Sequence, residues 1–118
     1  MGADVAKDDM HVVIFKILAY VYDCMKRGIE VDKGVISHEA LGIPEPYWVQ
    51  IMGELVSRGY VTGVSVRPTT TVTVVNIAKP AVTLDGVEFL MENGMMAKAA
   101  RVVADAGDFF SKVASPFL

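Results

Sequence analysis

The stretch Ala40 to Tyr60, "ALGIPEPYWVQIMGELVSRGY", constrains this chain more than any other. A glycine and a proline close one short helix and open the next, and Trp48, Ile51, Met52 and Leu55 follow at helical spacing until Gly59. Proline suits a first helical turn, where an amide donor has no intrahelical partner. Two short helices joined by "GIP" have the proportions of a helix-turn-helix. The flanking segments complete the pattern. His11 to Arg27 is apolar at Val12, Phe15, Ile17, Leu18, Tyr22 and Met25, which predicts a helix buried on more than one side. Asp8 and Asp9 suit its positive end, Lys26 and Arg27 its negative end, and Gly28 its termination. Asp32 to Gly42 offers a short helix, with Asp32 and Ser37 both suited as N-caps.

Tyr60 to Val66 and Val72 to Ile77 alternate and are rich in β-branched residues, which predicts an antiparallel hairpin with its tip at Arg67 to Thr71. A helix follows from Thr83, its cap, with Phe89 and Leu90 facing inward and Asn93-Gly94 as its stop. Gly86 inside it weakens the helix by ~1 kcal/mol relative to alanine. A last amphipathic helix is expected over about 95–114, with Met96, Ala99, Val103, Ala106, Phe110 and Val113 on its apolar face. The expected fold is mainly α with a small antiparallel β-hairpin: a winged helix-turn-helix with a C-terminal helical extension. Residues 1–118 form a single domain, its core at about 10–93.

The phrases "FKILAYVYDCMKRG", "ISHEALGIPEPYWVQIMGELVSRGYVTGV" and "VTLDGVEFLMENGMMAKA" together resemble the YjcQ family, small winged-helix proteins of bacteria and their phages. The resemblance covers most of residues 12–100 and implies the winged-helix fold. It implies no established activity and no functional residues. The long segment "SVRPTTTVTVVNIAKPAV" and the tail beyond Ala100 depart from it.

Composition narrows the function. The net charge is −3, without the basic excess usual in strong nonspecific DNA binders. Charge is uneven, and residues 59–79 carry Arg67 and Lys79 without any acid. A hydrophobic fraction of 53% and a mean hydropathy of +0.41 exceed the ~45–50% apolar content usual for soluble domains. A domain this small cannot hide that surplus alone, so a homodimer is expected, with Met96, Ala99, Val103, Ala106 and Phe110 as its interface. The single cysteine, Cys24, lies in an apolar helical run and is expected to be a packed thiol. No apolar run reaches the ~18 residues of a membrane span, and the acidic N-terminus lacks signal-peptide character, so a cytoplasmic address is expected.

No phosphate loop, nucleophile elbow or glycine fingerprint appears, and the adjacent His38 and Glu39 lack zinc-motif spacing. No enzyme activity, metal or cofactor is expected. Two readings remain. In the first, the protein is a DNA-binding winged-helix protein, a phage-related transcriptional regulator that acts as a dimer. Tyr47, Gln50, Ser57 and Arg58 on the third helix and Arg67 and Thr69 at the wing would contact the duplex. In the second, it is a protein-interaction adaptor that keeps the fold without binding DNA, with Glu45 and Glu54 in the partner surface.

Overall fold

The computed structural model describes residues 6–94. Helix α1 runs Met10–Arg27, a 3-10 turn spans Lys33–Ile36, α2 is His38–Leu41 and α3 is Glu45–Ser57. Strands β1, Val61–Pro68, and β2, Thr73–Val82, form an antiparallel hairpin, and α4 is Leu84–Glu92. This order, with three helical segments before the hairpin and one after it, is a winged-helix arrangement.

Helix α1 is the axis of the core. Every residue from Val12 to Val21 is buried, because α3, α4 and β2 all pack against it. Two polar side chains are enclosed with the apolar ones. Asp23, 4% exposed, pairs with Arg27 Nη1 at 3.0 Å one turn further on. Lys16 is 5% exposed. Burial, and then the Lys7 ammonium, hold its amine below the ordinary lysine value. Cys24 is packed in the same helix, and burial pushes its thiol up. After Arg27 the chain closes the helix with backbone bonds from Gly28 to Met25 and from Ile29 to Cys24. Tyr20 then accepts the Asp32 amide on its hydroxyl at 3.0 Å, which fixes where the chain returns.

The expected single helix over Asp32 to Gly42 is two elements. Each expected cap starts one of them. Asp32 accepts from the Gly34 amide at the 3-10 turn, and Ser37 accepts from the Ala40 amide at α2. Ser37 has an extended backbone, which interrupts helical geometry between them. Ile43 plugs the turn between α2 and α3, and Trp48 Nε1 donates to the Ile36 carbonyl at 2.8 Å. Ile51, Met52 and Leu55 are fully buried beneath α3, as their spacing predicts.

The hairpin is longer than expected, and its turn lies further along. Pro68 pairs with Thr73, so the turn is Thr69–Val72, closed by Thr69 N–H to Val72 O at 2.7 Å. Arg67 therefore belongs to the ladder, opposite Val74, and not to the tip. The pairs Arg67–Val74 and Pro68–Thr73 carry the ladder past the expected end of the first strand and leave Thr69 to Thr71 in the turn. The second strand also continues beyond Ile77. Between the pairs Thr62–Ala81 and Val64–Ile77, Gly63 faces Ala78, Lys79 and Pro80 across a bulge. Gly63 has φ 77°, and a Cβ there would lie 2.4 Å from the Lys79 carbonyl oxygen, so only glycine fits.

Thr83 caps α4 by accepting from the Gly86 amide, and its hydroxyl donates to the Gly59 carbonyl. Phe89 and Leu90 are buried, as expected, and Asn93 ends the helix. The expected helix over 95–114 lies outside the described residues.

Candidate interaction face

Helix α3 turns by about 100° per residue, so each of its side chains has a fixed bearing. With Ile51, Met52 and Leu55 inward, the outward strip is Pro46, Gln50, Gly53 and Ser57. None of these four is charged. Nothing lies within 4 Å of where a Gly53 side chain would begin, so the strip is flat and open. At its N-terminal end Glu45 is exposed, and it lies where the helix dipole favours an anion.

Tyr47, Glu54 and Arg58 occupy the flank that faces the N-terminal end of α1. The Tyr47 hydroxyl donates to the Asp8 carbonyl at 2.7 Å and ties α3 to the segment before α1. Burial first, then the Asp8 and Asp9 carboxylates, push this phenol above its ordinary value, so it stays a neutral donor. Arg58 Nε donates to Glu54 Oε1 at 2.9 Å. Both borders of that pair meet Met10, His11 and Ile14 of α1 around a hollow of about 120 Å³, with Tyr60 and Phe89 beside it. Of the candidate residues on α3, Gln50 and Ser57 thus lie on the outward strip. Tyr47 and Arg58 are turned to its flank and engaged there.

The wing presents a different surface. Arg67 is exposed, and among the described residues no carboxylate pairs with it. Thr69 is consumed by the turn, since its hydroxyl donates to the Val72 carbonyl and accepts the Val72 amide. Val72 and Val74 are exposed apolar side chains next to Arg67. The other basic residues near the end of α1 are occupied by local contacts: Arg27 with Asp23, and Lys26 above the Tyr22 ring at 4.7 Å. The expected interface residues Met96, Ala99, Val103, Ala106 and Phe110 lie outside the described residues.

Among the described residues no three histidine, cysteine or acidic side chains converge as a metal site would require, and His38 approaches only the neighbouring Glu39, at 3.6 Å. No described helix is long and apolar enough to cross a membrane.

Sequence reasoning missed two features here. The Glu54–Arg58 pair has a local signal, an acid four residues before a base on one helix. The Tyr47–Asp8 bond has none, because the fold alone brings those residues together. Searches of curated proteins and of solved structures returned no match. The model of the YjcQ protein family matches residues 15–109, most of the chain, and the protein belongs to that family.

Proposed function

We propose that this protein is a non-enzymatic interaction module whose α3 strip and wing receive a protein partner. One observation carries the reading: the outward strip of α3 has no cation. Duplex DNA is held chiefly through its phosphates, and a reading helix without positive charge forgoes that attraction. Glu45 at the leading end adds repulsion, and the nearest arginine, Arg58, is neutralised by Glu54. A flat polar strip with an open Gly53 and apolar Val72 and Val74 on the neighbouring wing suits a protein surface, where charge is depleted at the centre of the contact.

A second reading rests on Arg67. It is exposed, lacks an acid partner among the described residues, and lies in an acid-free segment. In that reading the wing holds a phosphate or enters a minor groove. A dimer then supplies two half-sites for a phage-related regulator.

Salt titration of the full chain against pooled random-sequence duplex DNA, followed by fluorescence anisotropy, separates the two. The partner reading expects no retention even at low salt. It also expects a photo-crosslinker at position 50 to capture one protein, and the Gly53→Trp substitution to abolish that capture. Salt-sensitive DNA binding whose logarithmic slope falls by about one unit in R67A would refute it and establish the second reading.

A further inference from the structure

A hollow of about 250 Å³ lies at the base of the wing, between the C-terminal end of α1, the segment after it and the bulge of β2. Its floor is apolar: Met25, Ile29, Val31 and Pro80. Met25 is 43% exposed and Ile29 52%, large apolar side chains left open to water beside a concavity. Met25 is held in place, because its sulfur accepts the Val82 amide at 3.1 Å.

The rim is charged. Lys33 approaches from the 3-10 turn and Lys79 from the bulge, with Glu30 between the same walls. Neither lysine forms an ion pair among the described residues. Lys79 is also the one described non-glycine residue with a left-handed backbone, at φ 53°. A glycine would adopt that conformation without strain. Bulges re-aim a side chain, and this one carries a lysine to the edge of an apolar hollow at a conformational cost.

We propose that this hollow binds a small organic monoacid. Its carboxylate would lie between the Lys33 and Lys79 ammonium groups, and a compact aryl or branched alkyl body would cover Met25, Ile29, Val31 and Pro80. The volume falls below the ~300–1,000 Å³ of drug-sized pockets, so the ligand is small. Glu30 on the rim opposes a second negative charge, which selects a monoacid over a dicarboxylate. The site joins the exit of α1 to the base of β2, so an occupant would stiffen the wing relative to the helices.

The test uses benzoate as probe and benzyl alcohol as its neutral counterpart, titrated into the isotopically labelled full chain and followed by backbone amide shifts. Benzoate should produce saturable shifts confined to residues 25–33 and 78–82, and benzyl alcohol should bind at least about tenfold more weakly, the weight of one charge-assisted contact. The Lys79→Gly variant keeps the bulge conformation and so should fold, yet its benzoate affinity should drop by a similar factor. Equal response to both probes would reduce the hollow to an apolar dent and overturn the proposal. So would unsaturable benzoate shifts, or undiminished binding by a folded K79G.

Discussion

Gly53 lies inside α3 and Gly86 inside α4, and replacing each by alanine should move stability in opposite directions. Intrinsic propensity treats them alike: alanine gains ~1 kcal/mol at an interior position. At Gly53 the structure agrees, because a Cβ would meet nothing within 4 Å. Gly53→Ala should therefore stabilise by about 0.5–1 kcal/mol. At Gly86 a Cβ would lie 2.5 Å from the Tyr60 carbonyl oxygen and 2.6 Å from Val82 Cγ1. The oxygen would have to retreat by about 0.9 Å to reach ordinary contact at 3.4 Å. It is not free to do so, because the same carbonyl accepts the Thr83 amide at 2.9 Å, at the cap of α4. Overpacking costs ~1–3 kcal/mol, and a weakened hydrogen bond adds ~1 kcal/mol. Against the propensity gain, Gly86→Ala should destabilise by a net ~1–3 kcal/mol. Urea unfolding followed by circular dichroism measures both variants against the parent chain. With a slope of ~1–3 kcal/mol per molar, the Gly86→Ala midpoint should fall by about 1 M while that of Gly53→Ala rises. A raised midpoint for Gly86→Ala would refute the close approach of α4 to Tyr60.

Trp48→Phe keeps the ring in its half-buried place but removes the indole donor to the Ile36 carbonyl, and should cost about 1 kcal/mol in the same urea assay. Lys16→Met should raise stability at pH 7. Its folded-state value lies below the ordinary one of ~10.4, so the buried charge penalises the folded form fully below the folded value. The penalty fades as pH rises between the two values, so the gap between variant and parent should narrow toward alkaline pH. A gap that widens would contradict that assignment.

The fold was legible where local chemistry and tertiary packing agree. The apolar run of α1, the caps Asp32, Ser37 and Thr83, and the triad Ile51, Met52 and Leu55 all announce themselves by spacing or residue type, and each stands where its pattern places it. The bulge of β2 was not legible. Nothing in "NIAKPAV" signals a left-handed Lys79, because that conformation belongs to a bulge that forms only where β2 meets Gly63 of the other strand. Gly86 was legible only as a weakness of α4. Its contact with Tyr60 is set by residues on either side of the hairpin, and the sign of its contribution reverses once that contact is known.

The candidate site divides along the same line. Residue type nominates Tyr47, Gln50, Ser57 and Arg58 equally, since each has a polar end that can reach a ligand. Bearing around the helix axis separates them. Gln50 and Ser57 share the outward strip with Pro46 and Gly53, whereas Tyr47 and Arg58 point to the flank where α1 begins. Those two spend their polar atoms on Asp8 and Glu54: the first bond ties α3 to the segment before α1, and the second runs along α3 itself. A side chain so engaged must break that contact before it can hold a partner. On the outward strip of α3 the polar residues free to do so are the uncharged Gln50 and Ser57, while Glu45 leaves a negative charge at the leading end of the helix and Arg67 a positive one on the wing. A partner of the helix strip would thus meet a neutral surface with Glu45 at its leading end, and the hairpin would supply the positive charge of Arg67.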